Sequence, residues 1–363
     1  MPSRVNAERT LEEWCSALPK IELHAHIHGS VRPTTLQEIL LEEAKRTNSQ
    51  PLTLPPNRTM DECFEVFHLI HHVVTSRPIL RRIVIEAIED FAHENVKYLE
   101  LRSTPRALAQ SGSSRSDYIA EVVSALDECH ARVDLDIQVR LLISINRNQP
   151  VEMAEEAVEL ALEWKKKCPY IVGIDLSGHS ERPDSQFHRF EHALEKARQN
   201  GLKLAVHFAE HYDDEEAERI LKFRPDRLGH AVCLPEHLYL RMIDMAIPIE
   251  VCLTSNVHTL ARYRDECACP YEVDARKMCN CGYLVHPHRR ILTGELGNAA
   301  YPLCVCTDDP GVLHTNSSIE YVRAARAFNL DRHRLRAVAA DAVALIFDPS
   351  CALALRAAFE KFQ

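Results

Sequence analysis

Short apolar stretches rich in Ile, Val and Leu recur along the chain, each followed by a longer stretch in which apolar residues repeat with helical periodicity. This alternation is typical of β/α units that build a parallel sheet. It predicts eight strands, at residues 20–26, 98–102, 137–145, 171–176, 202–208, 227–232, 247–253 and 303–307. Eight is the number of parallel strands that closes a (β/α)8 barrel, so we predict an α/β protein of the TIM barrel class.

Two long segments interrupt the alternation. Residues 32–95, after the first strand, have the pattern of several helices with a proline-rich break at Pro51, Pro55 and Pro56, and we predict a helical elaboration over the barrel mouth. Residues 261–301 form an irregular insertion between strands seven and eight, expected on the same face. Because no internal repeat or Gly/Ser linker divides the chain, we predict a single domain over residues 1–363.

Composition narrows the function classes. Of the 363 residues, 46% are hydrophobic and 26% charged, which excludes a wholly disordered, collagen-like or membrane-embedded chain. The net charge of −10 argues against a protein that coats nucleic acid, whose surface is usually basic. An anionic substrate would therefore need a local cationic pocket.

The chain has no apolar run near the roughly 18 to 20 residues that span a bilayer, and its start lacks the apolar core of a signal peptide. We expect a cytoplasmic protein without membrane or nucleic-acid partners, acting as a monomer on a small molecule. The thirteen cysteines are spread over a long chain, so most should be reduced thiols in such a compartment.

His24 and His26 lie two residues apart in the first predicted strand, so both side chains point to one face. Two imidazoles on one face make half of a metal site, although two hydrogen-bonded core histidines would give the same pattern. His207 and Asp308 fall at the ends of strands five and eight, where barrel enzymes assemble their sites. Three His and one Asp would suit a catalytic zinc ion with a position left for water; a structural cluster is the alternative.

A zinc-activated water also needs a proton carrier. Glu210, three residues after His207, lies within reach of a substrate above the metal, unless it only begins the solvated acidic run at 213–216. His230, at the end of strand six, would either orient the nucleophilic hydroxide or stabilise developing negative charge. Strand four, at 173–178, ends without Lys, Glu or His, which favours one metal ion over two. Its Gly178 indicates either close approach to a ligand or a simple turn.

The motifs at 24–26, 173–178, 207–210, 227–231 and 307–310 occur in the order found in the adenosine deaminase family, which this chain resembles over nearly its whole length. The resemblance implies a barrel with one zinc ion held by His24, His26, His207 and Asp308. It further implies Glu210 as proton shuttle to purine N1, His230 as orienter of the hydroxide, and Gly178 and Asp309 as purine contacts. The implied reaction is hydrolytic removal of the group at purine C6.

Segments 98–106 and 250–257 are similar to the adenosine deaminase-like branch, the N6-methyl-AMP deaminases. This similarity implies further substrate-binding residues towards the ribose and phosphate, which are His26, His28, His71, Ser103, Thr104, Pro105, Arg106 and Asn146. His28 stands where the branch usually has Asn, and Asn146 where Asp is common. Arg106 suits a phosphate because a guanidinium donates in a rigid fork; a cation at a helix start is the alternative.

The insertion contains a cysteine-rich pattern, with Cys267 and Cys269 followed by Cys279 and Cys281. These spacings are tighter than those of a usual zinc knuckle, so both a second, structural zinc and reduced thiols remain open. Cys304 and Cys306 alternate on the eighth predicted strand and are expected in the core.

We therefore expect a zinc-dependent purine 6-aminohydrolase that converts N6-methyl-AMP to IMP and methylamine. The alternative in the same class is an adenosine deaminase that produces inosine. A metal-dependent phosphoester or amide hydrolase would need a two-metal site, which strand four does not supply. A protein that only binds purines would not need the ligands together with Glu210 and His230.

Overall fold

The computed structural model describes residues 9–50, 52, 54, 60–259, 281–297 and 301–362. Its eight strands form one parallel sheet in which each strand pairs with the next along the chain. The strands are β1 (Lys20–His26), β2 (Val96–Ser103), β3 (Gln138–Asn146), β4 (Ile171–Ser177), β5 (Lys203–Phe208), β6 (Arg227–His230), β7 (Ile249–Val251) and β8 (Leu303–Val305).

The last strand returns to the first. A bridge joins Ala25 to Asp308, with the Asp308 N–H donating to the His24 carbonyl at 2.8 Å and the His26 N–H donating to the Asp308 carbonyl at 3.0 Å. The predicted (β/α)8 barrel is confirmed, and all eight predicted strands are present.

Helices follow the strands and cover the outside of the barrel. In chain order the described helices are α1 (Leu11–Ala17), α2 (Pro33–Thr47), α3 (Met60–Val73), α4 (Arg77–His93), α5 (Arg115–Ala131), α6 (Val151–Lys165), α7 (Glu191–Gln199), α8 (Asp214–Phe223), α9 (Glu236–Met245), α10 (Leu253–Thr259), α11 (Cys281–Leu284), α12 (Arg289–Leu292), α13 (Pro310–Leu313), α14 (Ser317–Phe328), α15 (Arg332–Asp341) and α16 (Ala352–Lys361). None of them is long and apolar enough to cross a membrane.

The predicted elaboration after the first strand is confirmed as helices α2, α3 and α4. Helix α3 contributes Cys63, Phe67 and His71 to the wall of the cavity at the barrel mouth. Of the insertion between β7 and β8, helices α11 and α12 are described. Cys267, Cys269 and Cys279 lie outside the described residues, as does the side chain of Cys281, whereas Cys304 and Cys306 are buried in the core as expected.

Strands β6, β7 and β8 each end two residues earlier than predicted, and the cause is local. Left-handed backbone at His230 and Ala231 (φ 63° and 59°) ends β6, and Asp308 (φ 64°) turns the chain shortly after β8. Strand β7 stops at Val251 because Leu253 begins helix α10. A left-handed residue cannot continue an extended strand, and the apolar pattern does not reveal it.

The barrel interior contains fully buried charged residues as well as aliphatic ones. Arg102 on β2 donates to Asp175 on β4 at 2.9 Å and to Glu250 on β7 at 2.9 Å. Arg227 on β6 donates to Glu250 at 2.7 Å and also contacts Glu100. These strands are not all neighbours, so the contacts place the five side chains inside the barrel, where opposite charges compensate for the loss of water.

Candidate active site

A cavity of about 1220 Å³ opens at the carboxyl ends of the strands. It is lined by most of the residues singled out from the sequence, namely His26, His28, His71, Ser103, Thr104, Arg106, Asn146, Gly178, His207, Glu210, His230, Asp308 and Asp309. Two of the predicted residues are outside the lining. His24 is fully buried, and the carbonyl of Pro105 accepts a hydrogen bond from Arg115 Nε at 2.9 Å.

The four residues predicted to bind the metal come together. His24 Nε2 lies 3.2 Å from Asp308 Oδ1, His26 Nε2 lies 3.4 Å from the same oxygen, and His26 Nε2 lies 3.2 Å from His207 Nε2. Zinc bonds of about 2.0–2.1 Å in a tetrahedron separate neighbouring ligand atoms by about 3.3 Å. These three separations match those between neighbouring ligands of one zinc ion.

The opposite nitrogens of two histidines face carboxylates. His24 Nδ1 lies 2.7 Å from Glu250 Oε2, and His207 Nδ1 lies 3.1 Å from Asp175 Oδ1. A proton on each Nδ1 leaves the Nε2 lone pair free for a metal. Carboxylates in this position fix the ring orientation and make a metal-binding imidazole more basic.

The charges around His24 indicate whether a cation fits at this site. Burial and the charge of Arg102 act to lower its pKa, but Asp308 and Glu250 outweigh them and raise the pKa to about 9. A positive charge is therefore favoured between the ring and Asp308, the place a metal ion would take. Burial instead lowers the pKa of His26 to about 3, which keeps that ring neutral, as a metal ligand must be.

His230 is a fourth imidazole beside this cluster. Its Nε2 lies 3.7 Å from Glu210 Oε1 and 4.0 Å from Asp308 Oδ2. The donor atoms of His24, His207, His230 and Asp308 also lie close enough to hold a metal, and those of His26, Asp308 and Asp309 form another such group. Burial lowers the pKa of His230 to about 4, against the carboxylates of Glu210 and Asp308, so the ring is neutral.

Glu210 lies at the cavity wall directly after β5. Burial acts to raise its pKa, but the imidazoles of His230 and His207 lower it below the ordinary value. Glu210 is therefore a carboxylate at neutral pH and can accept a proton. The preceding Ala209 has φ 50°, so left-handed backbone turns the chain where the strand ends. Such backbone is costly for a residue with a side chain and clusters at functional sites.

Asp309 has the opposite electrostatic character. Burial and the neighbouring carboxylate of Asp308 raise its pKa well above the ordinary value, which favours the protonated form, a hydrogen-bond donor. Its Oδ1 has no hydrogen-bond partner among the described residues. A Cβ at Gly29 would lie 1.7 Å from this oxygen, so a glycine there leaves the carboxyl its room.

Gly178 follows β4 with φ 101°, a conformation that side chains rarely adopt, and a Cβ there would meet Asn146 Oδ1 at 2.6 Å. Both the turn and close packing therefore require glycine. Asn146 also accepts a hydrogen bond from the N–H of Asn148 at 2.9 Å, so its side chain braces the loop beneath Gly178.

The cavity wall formed by α3 and the segment after β2 contains nitrogen atoms that have no hydrogen-bond partner among the described residues. Arg106 Nη2 donates to the Val74 carbonyl at 2.6 Å, whereas Arg106 Nε and His28 Nε2 are buried without a partner among the described residues. No carboxylate of the described chain forms an ion pair with Arg106. Burial and this guanidinium lower the pKa of His71 to about 4, so the arginine carries the positive charge of this wall.

A second titratable cluster lies on the rim of the same cavity. Glu181 is 3.0 Å from His211 Nδ1 and 3.6 Å from His179 Nε2, and the two rings stack 5.1 Å apart. The N–H of Glu181 also donates to His179 Nδ1 at 3.4 Å. These contacts join the loops after β4 and β5 at the rim of the cavity.

Sequence reasoning missed residues that lie behind the ligands. Glu250 and Asp175 face His24 and His207 from within the strands, and Arg102 pairs with both carboxylates. Asn256 approaches His230 Nδ1 with its Nδ2 at 3.1 Å. The available signal was a charged residue inside an otherwise apolar strand. That signal suggests burial of an ion pair but does not name its partner on a distant strand.

Known proteins are similar to this chain in architecture and in sequence. Residues 19–273 match the sequence model of the family described as adenosine deaminase. The N6-mAMP deaminase of Arabidopsis thaliana is 34% identical over 361 residues, covering 92% of this chain and 94% of that protein. The apo structure of the Arabidopsis N6-methyl-AMP deaminase superposes with a TM-score of 0.82 at 34% identity, covering 96% of this chain and 98% of that one.

A structure of Arabidopsis ADAL complexed with IMP superposes with a TM-score of 0.81 at 34% identity, again over 96% of this chain and 98% of that one. The structural matches therefore cover nearly the whole chain. With its barrel, its cluster of His and Asp and these relatives, the chain belongs to the adenosine deaminase family.

Proposed function

We propose that the protein is a zinc-dependent hydrolytic deaminase that converts N6-methyl-AMP to IMP and methylamine. The observation that carries the proposal is the pairing of two features in one cavity. A His and Asp cluster with Glu210 lies at one wall, and Arg106 Nε and His28 Nε2, which have no hydrogen-bond partner among the described residues, lie at another. The first feature suits hydrolysis at a purine ring, and the second suits a phosphate.

His24, His26, His207 and Asp308 would hold the zinc ion, since their donor atoms have the spacing described above. Bound zinc would supply a Lewis acid that makes water nucleophilic at neutral pH. The family and the donor set support this cofactor. The chain would act as one deaminase domain, residues 1–363.

The remaining groups have distinct tasks. Glu210, as a carboxylate, takes a proton from the attacking water and delivers it to purine N1. Asp309, as a neutral acid, donates a hydrogen bond to the purine ring, and the backbone of Gly178 lies against it. The new bond joins the water oxygen to C6, and the bond from C6 to the exocyclic nitrogen breaks, so the amine leaves with a proton.

Arg106 is the specificity element of the proposal. A half-buried guanidinium without a carboxylate partner among the described residues binds an anion readily, because its charge is not yet compensated. A 5′-monophosphate would satisfy Arg106 Nε, with His28 and Ser103 alongside. The relative solved with IMP binds a purine nucleotide of this class.

The decisive experiment compares kcat/KM of the zinc-loaded protein for N6-methyl-AMP, AMP, adenosine and N6-methyladenosine. We expect the highest value for N6-methyl-AMP. Arg106→Ala should raise the activation free energy that corresponds to kcat/KM for the nucleotides by about 1.5–3 kcal/mol, the range for hydrogen bonds to charged groups. Turnover of the nucleosides should stay unchanged.

Arg77→Ala is the matched control, because Arg77 pairs with Glu121 outside the cavity lining and should affect neither substrate. Preference of the wild type for adenosine, or equal losses for both substrates in Arg106→Ala, would replace the nucleotide assignment with adenosine deamination.

A further inference from the structure

Four buried residues, one of them His230, form a ring of hydrogen bonds. The N–H of His288 donates to His286 Nδ1 at 3.2 Å, and His286 Nε2 lies 3.2 Å from Asn256 Oδ1. Asn256 Nδ2 lies 3.1 Å from His230 Nδ1, and His288 Nε2 lies 2.5 Å from the His230 carbonyl. All four residues are at most 2% exposed. The ring connects β6, α10 and the segment between α11 and α12.

The backbone fixes the direction of every bond in this ring. An amide N–H can only donate, so His286 Nδ1 is an acceptor, and the proton of the neutral ring lies on Nε2. His286 Nε2 therefore donates to Asn256 Oδ1, which turns the amide so that its Nδ2 donates to His230 Nδ1. His230 Nδ1 is then an acceptor as well, and its proton must lie on Nε2.

We propose that Asn256 is a positioning residue that fixes the proton of His230 on Nε2, and that His286 in turn holds the orientation of Asn256. The Nε2–H of His230 then points to the side of Glu210 and Asp308, where it donates a hydrogen bond to the reacting oxygen. The catalytic consequence rests on the proposed deaminase function; the proton position does not.

The same assignment separates His230 from the metal ligands. A nitrogen that carries a proton has no lone pair for zinc, so the ring excludes His230 from the metal although its position is close enough. His24 and His207 have the reverse arrangement, because carboxylates face their Nδ1 atoms. His230 therefore has an amide donor behind its ring, whereas His24 and His207 have carboxylate acceptors behind theirs. This difference leaves His24 and His207 able to bind the metal and His230 able to donate a hydrogen bond.

The first test is direct observation of the proton. Long-range ¹H–¹⁵N spectra of the zinc-loaded protein labelled with [¹⁵N]histidine should show His230 with its proton on Nε2, identified by loss of its signals in His230→Gln. In Asn256→Asp, a carboxylate replaces the amide donor at nearly the same size, and His230 Nδ1 should become protonated. A wild-type His230 with its proton on Nδ1 would overturn the proposal.

The second test uses matched variants at position 286. A glutamine can accept from the His288 N–H and donate to Asn256, whereas a leucine of similar size can do neither. We expect His286→Gln to keep near wild-type kcat and His286→Leu to lose kcat with little change in KM or zinc content. Asn256→Leu should lose about 10²-fold, as when one oriented donor is removed from an active site.

Equal activity of His286→Gln and His286→Leu would refute the role of His286, and normal kcat in both Asn256 variants would refute that of Asn256. If the spectra show the expected proton but no purine is deaminated, the proposed function fails and the proton assignment stands. Should the Asn256 variants not fold, the wild-type spectrum and the His286 pair still decide.

Discussion

His24 and Glu250 lie on strands β1 and β7, and yet His24 Nδ1 and Glu250 Oε2 are only 2.7 Å apart inside the barrel. Glu250 also accepts from Arg102 and Arg227, at 2.9 and 2.7 Å. Burial acts to raise its pKa, but these two guanidinium groups hold it well below the ordinary value. The carboxylate therefore stays charged and keeps the Nδ1 proton of His24 in place.

Glu250→Gln should weaken zinc binding about 10–100-fold, the usual effect of removing the outer partner of a metal-binding histidine. The amide still fits but no longer makes the His24 ring more basic. Competition with a chelator of known affinity measures the change. Asp226→Asn, which alters a carboxylate paired with Lys203 at the protein surface, is the control and should leave zinc affinity unchanged.

Arg102→Lys should lower the free energy of unfolding by about 3–5 kcal/mol, the cost of breaking a buried charge pair. A lysine cannot donate to Asp175 and Glu250 at once in the planar geometry of arginine. Denaturant unfolding of the metal-free protein measures the change. The exposed Arg219, paired with Glu191, offers the control Arg219→Lys, with an expected loss of less than about 1 kcal/mol. Similar values for both variants would contradict a structural role for the buried network.

Glu210→Gln should retain zinc and lose about 10²- to 10⁴-fold in kcat, because an amide cannot carry a proton. Metal analysis and steady-state kinetics on the same preparation separate the two effects. Glu181→Gln changes another carboxylate that lines the same cavity and should leave kcat near the wild-type value. Normal turnover in Glu210→Gln would remove this residue from proton transfer.

Lys20 makes stability depend on pH. It is fully buried at the start of β1 and donates to the Leu18 carbonyl at 2.8 Å; burial lowers its pKa from 10.5 to about 7, although Glu94 opposes this. Between those pH values the unfolded chain binds the proton and the folded one releases it. The free energy of unfolding should therefore rise with pH, by up to about 1.4 kcal/mol per pH unit.

Unfolding measured at pH 7, 8 and 9 should show this slope in the wild type and lose it in Lys20→Met. Lys203→Met is the control, since Lys203 begins β5 but lies at the surface beside Asp226. It should keep the wild-type slope. A wild-type slope equal to that of Lys20→Met would mean that Lys20 stays protonated, held by its carbonyl acceptors.

The barrel could be predicted because each strand repeats the same local pattern. A parallel strand buried on both faces must be apolar almost throughout, and the helix that follows must repeat every three to four residues, so both signals lie within short segments. The residues at which the strands end were predicted less accurately. Left-handed residues such as His230 and Asp308 turn the chain at the site, and the local sequence does not indicate that backbone conformation.

By itself, the sequence determined the parallel barrel and the residues that face its mouth, because side-chain alternation and strand order place His24, His207 and Asp308 at one end. Only the tertiary structure decided what lies behind them. Glu250 on β7 reaches His24 on β1 across the closed barrel, and Asp175 and Asn256 reach His207 and His230 from the neighbouring strand and from helix α10. Each of these contacts depends on barrel closure, on register or on how a helix packs over the strand ends. Those partners decide which nitrogen carries a proton, and therefore which histidines can bind a metal and which can only donate.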